Sequence, residues 1–535
     1  MGLRWYRWGF LMCACTSACL GGENRVAQLS SEGEDIDTGV AEPSPSNMDA
    51  AVVTATGEHA GDGSTADLEF DSGGGDDAGM PGAPPTATPM VVDSGAPPDA
   101  ANPPDRPTPA NDDASDAATT DREKPEELLP GIVAQPQDDA TFIYDPNELR
   151  TYELTVAPED LASIDTDPRA EAYVPAQLLF QGESYSVAMR YKGSVGAFRP
   201  PCTNFSRRGS TARTGKCSIK VSFNEYDPEG RFFGLKKLQF HSMNRDPSMM
   251  RDRLAYHMFR QSGLAAPRSV HARLLINGQL AGLFALVEQI DGRFTRSRFT
   301  EGGKGNLYKE IWPLHDDPET YINALHTNED EDPNVDAFLA FKDAIPLGSD
   351  ALSRFIHWDT LLTFLAVDRV IVNDDGPLHF WCAAGGQGNN PDGEGNHNYY
   401  WYEGAAGGHF TLIPWDMDSS FVGHEYLVIR PEWREPAECT CTGTLVPASC
   451  DPLVQQFIGL NDRFEAHVDS FIEGPFAASN VEPLLNTWEA QISDAVAESA
   501  GIESAPSFEA WQASLADLRA IVATLRSNRG YPYDE

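Results

Sequence analysis

From about residue 143 the chain alternates apolar and polar positions in short runs; before that it does so almost nowhere. "LRTYELTVAPEDLASI" (149–164) predicts a strand followed by a short helix opening at Pro158-Glu159. "AYVPAQLLFQGESYSVAMRYKGS" (172–194) has period two on both sides of a glycine turn, the pattern of a hairpin. "KCSIKVSFNEY" and "GRFFGLKKLQFHSM" predict two more strands, and "SVHARLLINGQLAGLFALVEQID" a further pair joined at Asn277-Gly278. Between these, "DPSMMRDRLAYHMFRQSG" (246–263) reads as a helix with Asp246 as N-cap, Pro247 at its first position and Gly263 as its stop.

Beyond residue 330 the period lengthens to that of helices. "VDAFLAFKDAI" and "LSRFIHWDTLLTFLAVDRVIVN" predict helices, and "VEPLLNTWEAQISDAVAESA" and "FEAWQASLADLRAIVATLRSNRG" predict two amphipathic ones near the C-terminus. "HNYYWYEGAAGGHFTLIPWD" (397–416) breaks that series with a strand, a glycine-rich turn and a second strand. The expected fold class is α+β, with a β-rich N-terminal lobe and a helical C-terminal lobe in a bilobal arrangement.

The first 139 residues differ in kind. Residues 1–20 carry Arg4 and Arg7, a short apolar core from Trp8 to Met12, then small residues and cysteines, the outline of a secretory signal. That apolar run falls short of the roughly 20 residues that span a bilayer. Cys19 in "TSAC" and Cys15 are both candidates for a lipidated cysteine, which would make the membrane a partner through that cysteine alone; plain secretion is the other reading. Residues 21–139 are acidic and rich in Pro, Ala and Gly, with too little apolar surface to offset ordering entropy. They read as an extended linker between the anchor and a folded domain over 140–451, with 452–535 a helical extension of that domain. The expected location is outside the cytoplasm, on a bacterial outer membrane or cell surface, with secretion as the alternative.

Charge narrows the partners. A formal net charge of −42 argues against nucleic acid, which would be repelled. Six cysteines follow the signal: Cys202, Cys217, Cys382, Cys439, Cys441 and Cys450. An even number in an exported chain favours disulfides, with Cys202 and Cys217 closing a basic loop. Zinc is the rival, but "C-x-C-x8-C" lacks paired C-x2-C spacing.

Three places carry candidate chemistry. "IPWDMDSSF" (413–421) sets Asp416 and Asp418 two apart after a strand, where a hard divalent cation would find carboxylate ligands; capping of a turn is the plain alternative. "NDDGPLHFW" (373–381) follows an apolar helix with Asp374 and Asp375, and "HNYYWY" (397–402) follows an interruption. "RYKGSVG" (190–196) presents Lys192 beside small residues. Lys220 alternates on the strand "SIKVSF", with Lys216 on its face; Lys192 and Lys220 both stand as phosphate-binding candidates, and Lys309 in "NLYKE" as a weaker one. Glu288 either lines the cleft or forms a structural ion pair with Arg273 or Arg293.

These motifs, in this order and combined with "FFGLKKLQFHSMNRDPSMMRDRLAYHMFRQSGLAAPRS", "INGQLAGLFALVEQID" and "GNLYKE", closely resemble the CotH family of spore-coat-type atypical kinases over about Leu149 to Phe421. The resemblance implies a diverged protein-kinase fold that moves the γ-phosphoryl of ATP, with Mg²⁺ or Mn²⁺, to Ser or Thr hydroxyls of a protein substrate. It implies Asp375 as the catalytic aspartate, Asp416 as the main metal ligand, and Asn398 as the asparagine of a second metal position, with Asp374 a bystander. The chain departs from the kinase pattern H-R-D-x-x-x-x-N: the residue five after Asp375 is Phe380, and Asn398 comes only after an insertion, so "HFW" reads as a false echo. No complete G-x-G-x-x-G loop is present. ATP is scarce outside the cytoplasm, which keeps a non-catalytic surface or adhesion module in view. A hydrolase using Asp375 and Asp416 is a third possibility that nothing sugar-specific supports.

Overall fold

The computed structural model describes residues 129–530, apart from 130, 194–215, 329–332, 383–394, 405–407, 423–438, 440–444 and 503–504. The signal, most of the linker, Cys202, Cys441 and the core of the insertion lie outside the described residues.

The chain runs β1 (Arg150–Val156), α1 (Pro158–Thr166), β2 (Val174–Phe180), β3 (Glu183–Lys192), β4 (Ser218–Ser222), β5 (Lys237–His241), α2 (Arg251–Gln261), β6 (Ser269–Ile276), β7 (Gln279–Val287) and α3 (Gly292–Arg298). It continues through β8 (Leu307–Lys309), α4 (Pro318–Asn323), α5 (Asp336–Ala344), α6 (Ser349–Leu352), α7 (Trp358–Val370), β9 (Phe380–Trp381), β10 (Tyr399–Glu403) and β11 (Phe410–Pro414). β12 (Leu445–Val446), α8 (Pro452–Gln455), α9 (Asn461–Glu473), α10 (Ala478–Ser499) and α11 (Phe508–Ser527) complete it.

The fold is mixed α+β. The first seven strands form a closed barrel in the order β1-β2-β3-β4-β5-β7-β6, sealed by a parallel pairing of β1 with β6. Local alternation predicted the strands but not the closure, because Arg150 and its partner Ala272 are far apart in the chain. On β2, Val174, Ala176, Leu178 and Phe180 point inward while the intervening residues are exposed. Tyr152 stacks on Phe180 at 5.0 Å and meets Phe240 edge-on at 5.3 Å, filling the interior with aromatic surface. The turn between β6 and β7 has Asn277 and Gly278 both at positive φ (51° and 74°), the conformation an Asn-Gly hairpin favours.

α2 starts later than its sequence signals indicate. Asp246 accepts from the Ser248 N–H (3.0 Å) and the Arg251 N–H (2.7 Å), so it closes the turn ahead of the helix, and Met250 is the N-cap. Met249 adopts φ 59°, which interrupts the helical path predicted to open at Pro247.

One face of the barrel packs on the helical part. Leu283, Ala285 and Val287 of β7 share a core with α2, α7 and the C-terminal helices. α10 meets α2 through Arg253, which donates to Gln491 Oε1 (2.7 Å) and sits over the Trp488 ring. The Trp511 indole of α11 donates to the Ser248 carbonyl (3.0 Å), and a Cβ on Gly530 would lie 2.7 Å from Val370 Cα. The C-terminal helices therefore touch both the barrel side and α7. Among the described residues no helix is long and apolar enough to cross a membrane.

Candidate active site

α7 is buried around nearly its whole circumference, and its end delivers Asn373, Asp374 and Asp375 to a polar junction. Asn373 Nδ2 donates to Asp368 Oδ1 (2.8 Å), turning the chain back on the helix. Gly376 is required in this turn: a Cβ there would lie 2.4 Å from Asn373 Nδ2. The Asp374 N–H donates to Ser419 O (3.1 Å) and the Phe421 N–H to Ile371 O (2.7 Å), so the loop is laced to the Asp416 loop.

Both oxygens of the Asp375 carboxylate are engaged. Trp381 Nε1 donates to Oδ1 (2.8 Å), and Asn398 Nδ2 donates to Oδ2 and to the Asp375 carbonyl (2.9 Å each). The insertion does not separate them, since the Trp381 N–H donates to Gly395 O (3.3 Å) and brings its two ends together. Trp381, read from sequence as an echo, is a member of the site. Burial pushes the Asp375 carboxyl up; the Trp381 and Asn398 hydrogen bonds and His397 oppose this, and Asp416 adds to it. Asp374 is pushed up to about 7 by burial and by Asp375, and its Oδ1 lies 3.8 Å from His379 Nδ1.

Asp416 follows β11 in a left-handed conformation (φ 52°) that α2 holds in place. The Asp416 N–H donates to the Tyr256 hydroxyl (2.9 Å) and the Met417 N–H to Asp252 Oδ1 (3.0 Å). Asp252 and Tyr256 are four apart on one helix face, so a single element fixes the loop. The Trp415 N–H donates to Asn398 O (3.0 Å), which ties the asparagine to the same loop. Asp416 itself keeps 48% of its side chain exposed. Tyr256→Phe leaves the Asp416 N–H without its acceptor; we expect a loss of about 1–3 kcal/mol in urea unfolding, with the rest of α2 unchanged.

Cations face these carboxylates from the outside of the barrel. Arg190 and Lys192 of β3, Lys220 of β4 and Lys237, Gln239 and His241 of β5 share one face, opposite the inward Tyr191, Ile219 and Phe240. Lys192 Nζ donates to His241 Nε2 (2.8 Å), and His241 Nδ1 lies 3.5 Å from Asp252 Oδ2 and 4.0 Å from Asp416 Oδ1. Burial draws the Lys192 amine down to about 8 although Asp416 pulls it up, and burial with Lys192 draws His241 down to about 3. Burial and the neighbouring Arg190, Lys237 and Lys192 hold Lys220 well below the usual lysine range. Burial also lowers Lys309, but Tyr400, Glu310 and Asp416 outweigh it and leave that amine above its ordinary value. Its neighbour Glu310 lies 3.5 Å away and accepts the Asn398 N–H (3.4 Å).

Glu288 is placed elsewhere. It is fully buried among Arg268 (2.6 Å), Arg298 (2.5 Å) and Arg293 (3.4 Å), while Arg273 pairs with Glu498 instead. Of the two readings of Glu288, the ion pair with Arg293 holds and is extended to Arg268 and Arg298, while the cofactor-binding role is corrected: its carboxylate is spent on three guanidiniums.

The donors fit a hard cation. Burial, Asp416 and Asp252 push the Asp418 carboxyl well above the usual range, and burial and Asp416 push Asp252 up to about 8, so carboxylates crowd one place. Among the described residues no group of three His, Cys, Asp or Glu is arranged to hold a metal alone. A cation here would need further oxygens, as Mg²⁺ takes from phosphate and water.

Sequence reasoning missed His241, Asp252, Tyr256 and Glu310. Local sequence offers little signal for them: α2 also carries Arg251, Arg253, His257 and Arg260, and β5 also carries Lys237 and Gln239, so Asp252 and His241 do not stand out until packing buries them.

A family model described as CotH kinase protein matches residues 204–527. The chain is also 23% identical over 282 residues to inner spore coat protein H of Bacillus subtilis (strain 168), covering 51% of this chain and 70% of that protein. The matched span begins later in the chain than the resemblance read from sequence (149–421) and ends beyond it, so it takes in α10 and all of α11 and omits Lys192. Because that span is more than half of the chain and holds Asp375, Asn398 and Asp416, this protein belongs to the CotH family.

Proposed function

We propose that this chain is an ATP-dependent kinase that phosphorylates Ser or Thr hydroxyls of a protein substrate, with a barrel lobe and a helical lobe placed as in a diverged kinase. The observation that carries the reading is the convergence of Asp375, Asn398 and the Asp416 loop beside the lysine-bearing outer face of the barrel. Asp375 orients the attacking hydroxyl and accepts its proton as the oxygen bonds to the γ-phosphorus and the bond to ADP breaks. Lys192 and Lys220 offset phosphate charge. Asp416, Asn398 and Asp418 would hold Mg²⁺ or Mn²⁺, which supplies charge neutralisation on the phosphates.

Export and attachment through Cys15 or Cys19 belong to the same proposal, supported by the N-terminal segment and by disulfide bonding of Cys217, Cys382, Cys439 and Cys450. A surface location agrees with a relative named as a spore coat protein. That name also favours one second reading, a non-catalytic surface module.

Calorimetry of ATP with Mg²⁺ separates the two. The kinase reading expects saturable binding that Asp416→Asn weakens; absence of binding by folded protein would leave the surface module. The Lys192 amine is charged below about 8 and neutral above it, so ATP affinity is expected to fall as pH rises through 8, and Lys192→Met is expected to flatten that dependence.

A further inference from the structure

The loop that bears Trp381 is tied to a covalent staple that the chemistry above does not use. β9 and β12 pair through only two residues each, Phe380 with Val446 and Trp381 with Leu445. Ribbons of this size have little stability of their own. Cys450, four residues after Val446, is bonded to Cys439, and Cys382, directly after Trp381, is also disulfide-bonded.

From Cys450 a line of contacts runs to both partners of Asp375. Asp451 caps α8 by accepting the Leu453 and Val454 N–H groups (2.9 Å each), and its other oxygen accepts from Trp312 Nε1 (3.1 Å). Trp312 packs on Phe380 (6.1 Å) and Tyr399 (5.4 Å), the neighbours of Trp381 and Asn398. Cys439 is exposed and Cys450 buried, so a thiol reagent reaches the bond from one side.

We propose that Trp381 is a positioning residue for the Asp375 carboxylate, and that the Cys439–Cys450 disulfide keeps the ribbon that holds it, so thiol–disulfide state sets the competence of the site. The inference rests on the kinase reading for its functional consequence and on the hydrogen bond alone for its geometry. Reduction is a thiol–disulfide exchange with a dithiol: two electrons and two protons pass to Cys439 and Cys450, and the dithiol leaves as its own disulfide. Oxidation by a disulfide donor reverses it.

The test uses the full chain labelled with 5-fluorotryptophan, the Trp381 resonance being the one lost in Trp381→Phe. Cys439→Ser/Cys450→Ser, which leaves the Cys382 bond in place, is expected to displace that resonance while those of Trp488 and Trp511, assigned in the same way, hold. A Trp381 resonance unmoved in that variant would overturn the proposal, and so would collapse of the whole spectrum, which would mark the bond as a global staple. In phosphoryl transfer, Trp381→Phe and the cysteine variant are expected to lower kcat about tenfold with KM for ATP unchanged. If the oxidised chain transfers no phosphate, the kinase reading fails, and the fluorine result still decides the linkage.

Discussion

Asp375→Asn is expected to lower transfer of phosphate to a protein hydroxyl by about a hundred- to ten-thousandfold, the range a general base contributes. The variant keeps the shape of the side chain and one oxygen, so Trp381 or Asn398 retains an acceptor while the other meets an amide. We expect folding to change by only about 1 kcal/mol, the value of one hydrogen bond. Initial rates and a thermal melt of the same preparation separate the two effects. Asp374→Asn serves as the contrast: its backbone N–H, not its carboxylate, binds Ser419, and its carboxyl is already pushed up to about 7. A rate loss for Asp374→Asn as large as that for Asp375→Asn would reassign the base.

Glu288→Gln is expected to cost about 3–5 kcal/mol in urea unfolding, because Asp138 still pairs with Arg268 and Arg293 but the buried Arg298 loses its salt-bridge partner. Burial pushes the Glu288 carboxyl up, but Arg298 and Arg268 outweigh it and hold it near 2, against an ordinary 4.5. A group depressed on folding stabilises the native state fully above its unfolded pKa. Its contribution is therefore present above pH 4.5 and fades as pH falls toward 2, and Glu288→Gln is expected to remove that part of the acid sensitivity. Unfolding free energy followed across this interval checks the sign.

The strands were legible because period two is a local signal, and the inward and outward residues of β2 alternate without exception. The closure of β1 on β6 was not, since no local pattern reports a parallel pairing across more than a hundred residues. The site divides the same way. Asp375 and Asp416 stand at the ends of apolar runs and carry motifs, so sequence finds them. Tyr256 and Asp252 act through two backbone N–H groups some 160 residues away, a relation written only in the packing of α2 on the Asp416 loop. Trp381 was misread because it occupies no position of the compact kinase loop; the fold bridges the insertion at Gly395 and places the indole on Asp375. Glu288 misled for the opposite reason. A glutamate at the end of a buried strand suggests a cleft as readily as an ion pair with Arg293, and only the packing of Arg268 and of Arg293 and Arg298 from α3 around it shows the ion cluster.

We propose that Asp375 and the Asp416 loop form one phosphoryl-transfer site. The most direct measurement is mass spectrometry of the oxidised chain incubated with ATP, Mg²⁺ and a mixed protein substrate, beside Asp375→Ala and Asp416→Ala variants of matched folding. We predict phosphate on Ser or Thr with the wild-type chain and its loss in both variants. Phosphate incorporated equally by all three proteins, or by none, would contradict the account.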